Sequence, residues 1–208
     1  IAGQHIMRNY GQEAFALTVV RDGAWREVMA FPRTLEGQFF VRPDALAWLT
    51  DAVVVMLSQG RLIAFDTGDP AAAPSLLPST SPIVAIAPGP ASGSLFVVHA
   101  YDDNIYLVDG VTGAETVRFT FAGPELIDAM GVTAFGAVLR VSLPGDAPRL
   151  VALDCAGERV VGFADPAAVE GLALNPASGD LVFGQQADLY LVDNAAGQLP
   201  SPACLGTP

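Results

Sequence analysis

The chain contains no lysine. Its ten basic residues are all arginine and face 22 acidic ones, for a net charge of −12. No basic patch stands out along it, so a phosphate backbone is repelled and nucleic acid is excluded as the expected partner. Long apolar runs are also missing, although the mean hydropathy is +0.42. Stretches such as 51–59 and 83–91 fall well short of the roughly 18 residues a membrane helix needs, so no transmembrane segment is expected. Histidine occurs only as His5 and His99, and there is no Gly-x-Ser-x-Gly elbow. Nucleophilic catalysis needs a base beside its nucleophile, and little here could supply one.

Cysteine is scarce as well. Cys155 and Cys204 have no histidine or further cysteine at zinc-like spacing. An even count suits one disulfide in an oxidising compartment, and two buried free thiols are the alternative. The chain begins at Ile1 without a basic stretch followed by an apolar one, which implies either a removed leader or a piece of a longer chain. Acidity, the absence of lysine and connections rich in Ser, Pro and Gly point to an extracellular or periplasmic protein.

What is present is repetition. An apolar run ending in aspartate recurs at Ile63-Ala64-Phe65-Asp66, Tyr106-Leu107-Val108-Asp109, Val151-Ala152-Leu153-Asp154 and Tyr190-Leu191-Val192-Asp193, at spacings of 43, 45 and 39 residues. That matches the period of about 40–45 residues of a four-stranded propeller blade. Residues 84–95 also align without a gap to residues 170–181, sharing Pro-Ala-Ser-Gly between two apolar runs. Short runs of Val, Ile, Leu, Phe and Tyr bounded by Gly, Pro and Asp read as strands, and one unit parses as 83–87, 95–100, 104–108 and 116–121.

The expected fold is therefore all-β, a β-propeller of four-stranded antiparallel blades, with 1–208 as a single domain. Its units are approximately 1–40 (incomplete), 41–81, 82–124, 125–166 and 167–205. This makes five blades, or a fragment of a larger propeller. The first unit offers strands at 5–10, 14–21 and 25–31, the latter two around an Asp22-Gly23 turn. The last has a poor fourth strand because Pro200 and Pro202 cannot donate ladder bonds. A strand from the opposite terminus would mend both deficits.

The segments Leu62-Ile63-Ala64-Phe65-Asp66-Thr67-Gly68-Asp69-Pro70, Pro90-Ala91-Ser92-Gly93-Ser94-Leu95-Phe96 and Asn104-Ile105-Tyr106-Leu107-Val108-Asp109 resemble a family of secreted bacterial propellers known only as a domain of unknown function. That family carries Phe-Asp-x-x-x-Pro, Pro-Ala-Thr-Gly-x-Leu-Tyr and Leu-Tyr-x-Ile-Asp, and the resemblance spans roughly residues 60–195. This chain has Ala87-Pro88-Gly89 where the family has an Asp-Phe-Arg-type stretch. The segment 106–113 is similar to repeats of quinone-cofactor propellers, with Arg118 or Phe119 in place of their Trp. The resemblance implies the fold and secretion, and no reaction or cofactor.

Three groups of residues carry candidate chemistry. His99, beside Tyr101, Asp102, Asp103 and Asn104, is a ligand or base at a loop mouth, or belongs to a solvated turn. Asp102-Asp103-Asn104 offers oxygen donors to calcium but lacks the other ligands of an EF-hand loop. The recurring Asp66, Asp109, Asp154 and Asp193 share one place per unit and are expected to accept backbone N–H bonds in the following turn. Asp44, Asp128 and Glu170 stand at the starts of the innermost strands, with Val84 in the equivalent place of the remaining unit. Such starts converge on a propeller's channel, so the three carboxylates could surround one cation, as acidic ligands do in propeller lactonases; independent strand caps are the alternative. Two functions follow. One is a non-catalytic secreted or surface propeller that binds another protein or a copy of itself, with Phe39, Phe40, Trp48 or Tyr101 as anchors. The other is a cation-dependent, lactonase-like hydrolase.

Overall fold

The computed structural model describes residues 4–10, 14–21, 24–32, 34–35, 38–39, 44–69, 71–79, 81–162, 165–169, 171–185, 188–194 and 197–202, the backbone alone before residue 44. Three strands, β1 (Gln4–Tyr10), β2 (Ala14–Arg21) and β3 (Ala24–Pro32), form an antiparallel meander where the incomplete first unit was expected. The Asp22-Gly23 turn lies outside the described residues. A short pair, β4 (Thr34–Leu35) and β5 (Gln38–Phe39), follows.

Four antiparallel sheets then succeed one another as propeller blades. The first is β6 (Ala45–Trp48), β7 (Val53–Ser58), β8 (Arg61–Asp66) and β9 (Ser75–Leu76). The second is β10 (Ile83–Pro88), β11 (Ser94–His99), β12 (Asn104–Asp109) and β13 (Glu115–Thr120). The third is β14 (Leu126–Thr133), β15 (Gly136–Ser142), β16 (Arg149–Asp154) and β17 (Gly157–Val161). The fourth is β18 (Gly171–Leu174), β19 (Leu181–Gln185) and β20 (Asp188–Val192). The first strands pack in series, β6 on β10, β10 on β14 and β14 on β18, as innermost strands do around an axis. The described blades thus number four instead of five. Closure by a strand from the opposite terminus is not among the described pairings, in which β1, β2 and β3 bond only to one another.

The turns explain the repeat. Gly93 and Gly179, which end the two Pro-Ala-Ser-Gly stretches, have φ of +86° and +78°, a region in which a Cβ is strained. Each turn is closed by the same bond, Gly89 N to Ser94 O at 3.0 Å and Asn175 N to Asp180 O at 2.8 Å.

Strand alternation then divides the core between blades, because successive side chains point to opposite faces. Val55 and Leu57 of β7 pack forward onto Leu95 and Val97 of β11. Phe96 and Val98 on the other face of β11 pack forward onto Leu139 and Val151 of the third blade. Val138, Leu150 and Ala152 pack forward in turn onto Leu181 and Phe183 of the fourth. Each interface is aliphatic and aromatic, worth about 1.5–3 kcal/mol per large side chain removed from water.

Candidate functional site

The inner strands of the second and third blades carry a register shift at the same place, between Ile83 and Ala85 and between Ile127 and Ala129. The residue left unpaired is Val84 in one and Asp128 in the other. Bulges re-aim side chains, and both residues line one cavity of about 500 Å³ together with Asp44, Gln59, Gly60 and Arg140. Two of the three carboxylates expected at a channel mouth are thereby brought to one place. Glu170 lies outside the described residues.

Both carboxylates already have protein partners. Asp44 Oδ2 accepts from Gln59 N at 3.2 Å, and Asp44 N donates to Leu57 O at 2.9 Å, as in a strand cap. Asp128 Oδ1 lies 2.6 Å from Arg140 Nε, and the same guanidinium donates through Nη1 to Val169 O. Arg140 is the residue that sequence reasoning missed. It is the one charge inside the run Gly136–Ser142, and its register partner is Ala129, next to the bulge. Among the described residues, no three His, Cys, Asp or Glu side chains come together to hold a metal.

His99 departs from expectation. Instead of joining a solvated turn, it ends β11 on the face that carries Leu95 and Val97 and is buried. Its Nε2 lies 3.0 Å from Glu115 Oε2 on β13, and its ring tilts against Tyr106 at 5.1 Å. Nδ1 is buried without a hydrogen-bond partner among the described residues. Because a carboxylate only accepts, Nε2 is the donor in this bond.

Asp102 is engaged beside it. Its Oδ1 accepts from Asn104 N at 2.9 Å and Asn104 Nδ2 at 2.8 Å, and its Oδ2 accepts from Tyr106 OH at 2.7 Å. Burial pushes its carboxyl up, but the bonds from Tyr106 and Asn104 outweigh it and hold the group below the usual range. These bonds organise the turn and engage both oxygens of Asp102.

Three of the four recurring aspartates do what their repetition implies; the turn after Asp193 lies partly outside the described residues. Asp66 Oδ1 accepts from Gly68 N and Asp69 N, Asp109 Oδ1 from Val111 N and Thr112 N, and Asp154 Oδ1 from Ala156 N. The Thr112 and Val111 bonds keep the Asp109 carboxyl below its ordinary range. Asp154 also accepts both arms of Arg159, at 2.6 and 2.7 Å.

Of the four anchor candidates, Tyr101 is 90% exposed on a left-handed backbone with φ +64°, whereas Trp48 is half-buried. The Phe39 side chain and Phe40 lie outside the described residues. Cys155 is exposed in the turn after Asp154, and Cys204 lies outside the described residues.

No family model and no curated protein matches the chain. Among solved structures it is similar to the propeller TolB of Acinetobacter baumannii, with a TM-score of 0.63 at 12% identity, covering 96% of this chain and 52% of that one. It is also similar to PorZ, a bacterial surface component of the type-IX secretion system of Porphyromonas gingivalis, with a TM-score of 0.46 at 14% identity over 92% of this chain and 25% of that one. A chain of the mitotic checkpoint complex gives 0.49 at 15% identity over 88% and 60%. The chain thus spans about half of TolB and a quarter of PorZ. At 12% identity the likeness to TolB is one of fold alone, that of a β-propeller. No helix among the described residues is long and apolar enough to cross a membrane.

Proposed function

We propose that this chain, acting as one propeller domain over residues 1–208, is a non-catalytic binding or assembly module of a bacterial exterior or periplasm. The observation that carries this reading is Tyr101. A tyrosine held out on a left-handed backbone at a blade's loop exposes a large amphipathic surface at little entropic cost, which suits an interface anchor. The resemblance of the repeats to secreted bacterial propellers supports the compartment. The test is capture from the native source by the immobilised chain and by its Tyr101→Ala variant. Partners retained by the first and lost by the second are the expected result, and equal capture by both, or none by either, counts against it.

A second reading, a cation-dependent lactonase-like hydrolase holding calcium or zinc on Asp44, Asp128 and Glu170, is supported by the cavity that Asp44 and Asp128 share. Arg140 weighs against it, because a cation would have to displace the guanidinium from Asp128. Calorimetric titration of the metal-stripped chain with each ion decides between them.

A further inference from the structure

The third strand of every blade presents two apolar residues on its forward face: Leu62 and Ala64 in β8, Ile105 and Leu107 in β12, Leu150 and Ala152 in β16, Leu189 and Leu191 in β20. In the first three blades these positions lie against the next blade. Ile105 and Leu150 are wholly inaccessible, whereas Leu189 is 48% and Leu191 is 69% exposed. The sheets differ at the edge too. In the first three blades a fourth strand covers the third, and among the described residues none pairs with the outer edge of β20. That edge holds no Pro and a single charged residue, Asp188 at its start, so little blunts it against pairing between Leu189 and Val192.

We propose that β20 is the docking edge for a second copy of this chain, the two β20 strands pairing antiparallel about a two-fold axis at Tyr190. The inference deepens the assembly reading above and rests on it. The sequence of the strand is self-complementary in that register. Leu189 falls opposite Leu191 of the second copy and Tyr190 opposite its own equivalent, apolar pairs of the kind that stabilise sheets. Asp188 falls opposite Val192, so no acid faces an acid inside the pairing. A two-fold axis is also the symmetry under which one patch satisfies itself. Each copy carries a charge of −12, so the approach is repulsive at long range and is eased when salt screens it.

The experiment is sedimentation equilibrium of the intact chain over a wide concentration range, at low and high sodium chloride, with hydrogen exchange of the β20 peptide at both ends of that range. The expected result is a concentration-dependent dimer, tightened by salt, in which β20 amides gain protection at high concentration. Leu191→Lys should weaken it by about tenfold or more, while Val117→Lys on the outer strand of the second blade leaves it unchanged. A monomer at all concentrations overturns the proposal, as does a dimer without β20 protection or one indifferent to Leu191→Lys. Full protection of β20 in the dilute monomer also overturns it, because the chain's own residues then cover the edge. The wild-type exchange data decide the matter even if the variant fails to fold. A strict monomer that still captures partners through Tyr101 removes this inference and leaves the proposed function standing.

Discussion

Val84 and Asp128 stand at the same bulge of consecutive inner strands and line the same cavity, one apolar and the other held by Arg140. A carboxylate at Val84 together with loss of the guanidinium would therefore gather unpaired acids at one mouth. The double variant Val84→Asp, Arg140→Gln should be less stable than wild type, by about 1 kcal/mol or less for the lost ion pair, because the Asp128 side chain is 40% exposed and water takes the place of the guanidinium. Calcium should restore part of that loss, because hard cations favour clustered carboxylates. Thermal unfolding with and without millimolar calcium checks it: the ion should raise the Tm of the variant and leave that of the wild type in place.

Asp154 and Arg159 give a stability that depends on acid. The hydrogen bonds from Arg159 hold the Asp154 carboxyl below its usual range against the opposing effect of burial, and Ala156 N adds to them. A carboxyl lowered in the folded state contributes stability above its unfolded pKa of about 3.9 and loses it as pH falls through the folded value. Arg159→Met should therefore cost most near neutrality, about 1–3 kcal/mol given that the Asp154 side chain is only 3% exposed, and the gap from wild type should narrow below about pH 4. Urea unfolding at a series of pH values measures the narrowing. A constant gap would mean that Arg159 acts through packing alone.

The His99–Glu115 bond should rank its variants by what remains to accept the Nε2 proton. Glu115→Gln keeps an amide oxygen and should lose less stability than Glu115→Ala, which strands a buried donor at a cost of about 1–3 kcal/mol. Urea midpoints of the two variants at neutral pH provide the comparison. Equal losses would argue against Nε2 as a donor to Glu115.

These sites were unequally legible in the sequence. The turn aspartates could be read because their task is local: a carboxylate two or three residues before a free N–H meets it whatever the rest of the chain does. The strands of the second blade fall within one residue of their expected bounds for the same reason, since alternation and turn residues act over short range. The His99 pairing could not be read. Glu115 stands across from Val108, and Val108 across from Leu95, four residues from His99, so neither a local pattern nor a ladder partner announces the contact. Arg140 was hidden likewise, its partner being set by the bulge at Asp128. The exposure of Leu191 is beyond sequence altogether, because Leu-Tyr-Leu-Val in β20 is of the same type as the buried third strands.

The pairing of Cys155 with Cys204 remains a prediction, and the structure narrows where the second cysteine must reach. Arg159 Nε donates to Gln198 O at 3.2 Å, tying the chain near its end to β17, and Leu199 is buried among Val138, Leu150 and Ala152 of the third blade. Pro200 comes next to Gly136, so closely that a Cβ there would meet the proline ring. Gly136 is in turn the register partner of Asp154, the residue before Cys155. The chain is thus carried to within four residues of Cys204 on the strand pair that presents Cys155. Among the described residues there is no free cysteine, which supports the pairing. A bridge here would close a loop of about 50 residues and contribute about 4 kcal/mol, less any strain. Thiol titration of the denatured, unreduced chain should find none, and reduction should lower the Tm of the wild type but not of a Cys155→Ser, Cys204→Ser variant. Two titratable thiols would instead establish a reduced chain and remove the chief argument for an oxidising compartment.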